Sequence, residues 1–111
     1  MSIAEHVVTV LEYMRQAALQ AGRRPEEITL CAATKTQTDE TIRQAIAAGI
    51  RVCGENRVQE LAAHLEEGAY AGAQVHFIGH LQTNKVKQVV GRVDLIHSVD
   101  SERLLRAIQA Q

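Results

Sequence analysis

No run of this sequence approaches the roughly 20 consecutive apolar residues needed to span a bilayer, and Met1 to Gln20 lacks the basic-then-apolar layout of a secretory signal. These absences read as a cytoplasmic protein with no membrane partner. Cysteine is scarce. Cys31 and Cys53 lie in two different apolar runs, so buried reduced thiols are expected rather than a disulfide. Two cysteines and five scattered histidines give no metal-ligand spacing. Neither sign of charge dominates: 12 basic against 13 acidic side chains leave a formal net charge of -1, which excludes the basic footprint of a general nucleic-acid binder. Low-complexity linkers are missing too. What remains is 111 residues, 46% hydrophobic and 23% charged, which suits one globular domain with a modest core.

Short apolar runs alternate with amphipathic segments throughout, as in repeated βα units. Val7, Leu11, Met14 and Ala18 recur at helical spacing, and Gly22 with Pro25 marks the end of that opening helix. A first strand is expected over Ile28 to Thr34. Thr38 or Asp39 then caps a helix with Ile42, Ala45 and Ile46 inward, stopped by Gly49. A second strand follows at Ile50 to Cys53, and a helix with Val58, Leu61, Ala62 and Leu65 on one side ends near Gly68. Gln74 to Ile78 reads as the third strand. Thr83 or Asn84 caps a short helix with Val86, Val89 and Val90 inward, ended by Gly91. Val93 to His97 is the fourth strand, and Ser101-Glu102 opens a helix burying Leu104, Leu105 and Ile108. Four such units imply a parallel sheet flanked by helices, either open or closed into a barrel.

Ligands of parallel βα folds gather at the carboxyl ends of the strands, and the polar residues gather there as well. The ends read Thr34-Lys35-Thr36, Gly54-Glu55-Asn56, Gly79 to Lys85, and His97-Ser98-Val99-Asp100-Ser101. Turn chemistry and helix capping explain any one of these clusters; four on one rim favour a binding function. Lys35 stands out, because a cation at the mouth of an apolar strand is suited to attack a carbonyl once its head loses solvation. Pyridoxal phosphate (PLP) is the commonest such carbonyl. His76, His80 and His97 are placed for cofactor contact or proton transfer, or for simple hydrogen bonding to backbone at strand ends. Glu55 and Asp100 could pair as acid and base, although a carboxylate at a helix start explains each more simply.

The combination Gly54-Glu55-Asn56, Gln59-Glu60, His76-Phe77-Ile78-Gly79-His80-Leu81-Gln82, Asn84-Lys85 and His97-Ser98-Val99-Asp100-Ser101 resembles the pyridoxal phosphate homeostasis proteins. The resemblance runs from Ile28 onward. It implies an α/β fold, the (β/α)8 barrel of the alanine racemase N-terminal domain, and a cofactor-binding protein without assigned catalysis. It further implies that Lys35 forms an aldimine with PLP, and that Asn56, His80 and Ser98 line the cofactor site with it. PLP-dependent apoenzymes would be the recipients.

Thr34 stands where the family usually has serine, no proline follows Lys35, Val75 replaces a usual tryptophan, and Arg57 occupies an often aromatic position. An eight-stranded barrel takes about 250 residues, so this chain is expected to supply an N-terminal half barrel as one domain, residues 1–111, that binds PLP weakly and pairs with a second copy. The family's phosphate loops and its pyridine-facing arginine belong to the other half. Two rival readings are a racemase-like enzyme, which needs a second base that no nearby tyrosine supplies, and a half barrel that holds no cofactor.

Overall fold

A capping box opens the first helix: the Ser2 hydroxyl accepts from the Glu5 N–H at 3.1 Å, and the Glu5 carboxylate accepts from the Ser2 N–H at 3.3 Å. This helix, α1, covers Ile3–Gln20 and buries Val7 and Ala18. A computed structural model describes residues 2–111. Beyond α1, Gly22 takes φ 73 and lets the chain turn into a 3-10 turn at Pro25–Glu27.

The first strand, β1, is Cys31–Ala33, shorter than the apolar run that announces it. Pairing sets its length: Cys31 lies opposite Val52, the first residue of its neighbour, and Ile28 to Leu30 have no ladder partner. Helix α2 is Asp39–Ala47, capped by Thr38, whose hydroxyl accepts from the Thr41 N–H at 3.1 Å. Strand β2 is Val52–Glu55, two residues later than expected, with all four residues buried. Helix α3, Val58–Glu66, buries Val58 and Leu61 and, unexpectedly, His64.

Strand β3 is Gln74–Phe77. Thr83–Gln88 forms a 3-10 helix rather than an α-helix, and neither Thr83 nor Asn84 caps it; its N-cap is Gln82, without a side-chain bond. Only Val86 is buried in that polar segment, so little packing selects the longer form. Strand β4 is just Leu95–Ile96, because only His76 and Phe77 face it. Helix α4, Glu102–Gln109, is capped by Ser101 and buries Leu104, while Leu105 stays 45% exposed, against expectation.

All four strands are parallel and run in the order β1-β2-β3-β4. Alternation along each strand separates two faces. Cys53, Val75 and Phe77 point to the helices and join Ile42, Ile46, Leu61, Val86, Val89 and Leu104 in the core. Burial pushes the Cys53 thiol up to about 11, with the Glu55 carboxyl adding to it, so this thiol stays protonated at neutral pH. Cys31, Ala33, Gly54, His76 and Leu95 take the other face, which no helix among the described residues covers. There Ala33 is exposed and Leu95 is 52% exposed. Of the run Val75 to Ile78, Val75 and Phe77 are in the covered core and His76 lies on the bare side.

Candidate functional site

The chain leaves β1 through a tight turn. Thr34 N–H donates to the Gly54 carbonyl at 3.0 Å, and the Thr34 carbonyl accepts from Gln37 N–H at 3.2 Å, which places Lys35 and Thr36 at the corners. Thr36 has φ 60, a left-handed conformation that costs a β-branched residue about 1 kcal/mol or more. Its N–H donates to the Glu60 carboxylate of α3 at 3.4 Å. Lys35 itself is exposed. The desolvated amine expected from the sequence is therefore not found here, because β1 opens onto the uncovered face of the sheet.

Under this turn lies a polar cluster in the core. Glu55, the last residue of β2, is fully buried; its Oε2 accepts from Thr34 Oγ1 at 2.7 Å and from the Tyr70 hydroxyl at 2.5 Å. His64 Nε2 is 3.6 Å from the same oxygen, and His64 Nδ1 is 2.5 Å from Asp39 Oδ1. Glu55 Oε1 has no partner among the described residues. Glu55 is thus no helix-start carboxylate, and Tyr70, in the segment after α3, is buried and has its ionisation pushed far up by burial and by Glu55. Asp100 does not cap α4 either. Its Oδ2 is 3.3 Å from Nδ1 of the exposed His80, on the far loop of the rim.

The other three candidate residues share one continuous rim. Gly79 lies so close to the Asn56 backbone that a Cβ there would fall 2.1 Å from the Asn56 carbonyl oxygen. The Ser98 hydroxyl donates to the Gly79 carbonyl. The ends of β2, β3 and β4 are thereby tied together. Asn56, Arg57, Gln59, His80, Gln82 and Lys85 line a cleft of about 180 Å³ floored by Phe77. Among the described residues, no group of three or more histidine, cysteine or acidic side chains could hold a metal ion, and no helix is long and apolar enough to cross a membrane.

His76 and His97 meet on the uncovered face, with His76 Nδ1 at 2.9 Å from His97 Nε2. Burial first, then the neighbouring His97 ring, lowers the His76 pKa, with Asp94 opposing. A histidine titrating below its unfolded value of about 6.5 favours the fold above that pH, and the contribution is lost as pH falls through the folded value. It is small here because the ring is only part-buried. In an NMR titration, the His76 midpoint should rise toward the ordinary histidine value in His97→Ala; an unmoved midpoint would show that the two rings do not interact in solution.

Sequence reasoning missed Asp39, His64 and Tyr70 as members of a shared cluster. The one available signal was His64 on the apolar stripe of Val58, Leu61 and Leu65, where a polar side chain needs partners.

No family model matches the chain. Among curated proteins it is 43% identical over 109 residues to the pyridoxal phosphate homeostasis protein of Aquifex aeolicus, covering 98% of this chain and 48% of that protein. A solved protein of unknown function from Bifidobacterium adolescentis superposes with a TM-score of 0.88 at 40% identity, over 97% of this chain and 48% of that one. PipY of Synechococcus elongatus, solved with PLP bound, gives 0.75 at 37% identity over 98% and 47%. The chain thus spans about half the length of the curated relatives it matches. Agreement of sequence over nearly all its residues, and of fold at the same identity, means that this chain belongs to the pyridoxal phosphate homeostasis protein family over the half that it spans.

Proposed function

We propose that these 111 residues are the lysine-bearing part of a PLP carrier, four βα units of a barrel of the alanine racemase type, with Lys35 as the amine that takes up and releases the cofactor. The observation that carries this reading is the placement of Lys35: exposed, at the corner of a turn held on both sides, on the strand-end rim that also bears Asn56 and His80. A relative at 37% identity is solved with PLP bound, which supports it.

The residues fit the cofactor in chemistry, offering a primary amine, a carboxamide and an imidazole from three adjacent strand ends. When bound, PLP supplies an electrophilic aldehyde. Lys35 presents the nucleophile, Asn56 and His80 line the neighbouring cleft, and Ser98 holds the rim through Gly79. Affinity of these residues alone is weak, because one amine is the principal anchor and the neighbouring cleft, with Arg57 and Lys85 on its walls, is open. PLP-dependent apoenzymes receive the cofactor. Neither tyrosine of these 111 residues offers the racemase-like alternative a second base: Tyr13 is 69% exposed on α1, and Tyr70 is buried on the helix side of the sheet.

Incubation with PLP, borohydride reduction and peptide mapping tests the assignment. Label concentrated on Lys35 and abolished by Lys35→Ala is the expected result. An even spread over Lys35, Lys85 and Lys87 would overturn it.

A further inference from the structure

We infer that Glu55 is a positioning residue for Lys35, acting through a bond from its buried carboxyl group to the hydroxyl of the preceding Thr34. The inference rests on the reading of Lys35 as the cofactor amine and adds the device that aims it.

Three features of the cluster carry it. Glu55 is fully buried at the carboxyl end of β2, a place where a carboxyl group needs a compensating reason. Both of its hydrogen bonds converge on one oxygen, from Thr34 Oγ1 at 2.7 Å and Tyr70 OH at 2.5 Å. The Thr34 bond reaches the residue immediately before the lysine. The Tyr70 bond fixes the carboxyl group from the helix side, where His64 stands 3.6 Å away and is itself held by Asp39 at 2.5 Å. Asp39, Glu55, His64 and Tyr70 come from α2, β2, α3 and the segment after α3, so four separate elements hold one side of the lysine turn.

The turn needs holding. Thr36 carries φ 60 without a glycine or proline to ease it, and left alone such a corner relaxes. Glu55 secures it at Thr34, and Glu60 secures it at the Thr36 N–H, 3.4 Å away. Between these two points the Lys35 backbone is held while its side chain is exposed. Without the Thr34 hydroxyl bond the turn keeps its backbone bonds but loses one of its two side-chain clamps, and the amine samples directions away from the rim that Asn56 and His80 share.

Thr34→Val removes the hydroxyl with little change of shape and leaves Glu55 bonded to Tyr70; Thr34→Ser keeps the hydroxyl. Both are compared with the unaltered chain at a temperature where circular dichroism shows each to be folded. The readouts are the visible absorbance on PLP addition and the share of borohydride-fixed label on Lys35 against Lys85 and Lys87. Thr34→Val is expected to weaken apparent affinity about fivefold, a part of what one hydrogen bond to a buried partner contributes, and to spread the label. Thr34→Ser should restore both. Glu55→Gln serves as a second probe and should fall between the two. A folded Thr34→Val with unaltered affinity and labelling overturns the positioning role alone. An unaltered chain with no preference for Lys35 overturns the carrier reading, and the positioning role with it.

Discussion

Gly79→Ala is expected to be the most damaging single-methyl change in the chain, lowering stability by about 3 kcal/mol or more, the upper range for overpacking. The added Cβ would lie 2.1 Å from the Asn56 carbonyl oxygen and 2.7 Å from both the Asn56 carbonyl carbon and Cα. Those are backbone atoms at the end of β2, so no side-chain rotation relieves the clash. Either the loop after β3 or the loop after β2 must move. Movement of the former also pulls on Ser98, whose hydroxyl donates to the Gly79 carbonyl. The melting temperature should drop by about 10 °C or more, at about 4–8 °C per kcal/mol for a domain of this size. Gly91→Ala is the control: its φ of 81 makes it costly by the backbone alone, but nothing lies within 4 Å of the new methyl, so about 1 kcal/mol is expected. Equal melting temperatures for the two variants would mean that Asn56 and Gly79 do not meet in solution.

That contact also shows which parts of the rim were legible in the sequence. Polar residues after each strand were visible as a set because every strand of a parallel sheet ends on the same side, so Lys35, Asn56, His80 and Ser98 could be placed on one rim before any geometry was known. The caps Thr38 and Ser101 were visible for a similarly local reason, a hydroxyl before an apolar periodic run. Strand lengths were not. Ile28 to Leu30 look like strand by composition, yet β1 begins at Cys31, where β2 first offers a partner; β4 is cut to two residues the same way. Nor was the cluster around Glu55 legible. Thr34 and Tyr70 are 21 and 15 positions from Glu55, and Asp39 is 25 from His64, and none of these residue types is ordinarily fully buried. Only a fold that brings four elements together converts them into one buried network.

The same sheet should make these 111 residues self-associate. One face is covered by the helices; on the other, Ala33, Ile78 and Leu95 lie open or half-open to water, with Leu95 at 52% exposure. At the β4 edge, Val90, Val93, Leu95, Ile96, Val99 and Leu105 line an apolar groove beside α4. The unpaired backbone of β1 and β4 adds two strand edges, which proteins ordinarily pair or cover. At roughly 25 cal/mol per Å² of apolar surface, an interface of about 1,600 Å² in total supplies a large driving force even after the entropy of association is deducted. A symmetric dimer that joins β4 edges and seats each α4 against the partner copy is the simplest closed arrangement. Sedimentation at micromolar concentration should therefore report about twice the 12.2 kDa chain mass. Leu95→Glu, which places a charge on the exposed face without touching the helix-side core, should shift the same sample toward monomer while the secondary structure is retained. A sharply melting monomer for the unaltered chain would show that the open face and the β4 groove are tolerated in water, and that self-association plays no part in the stability of this fold.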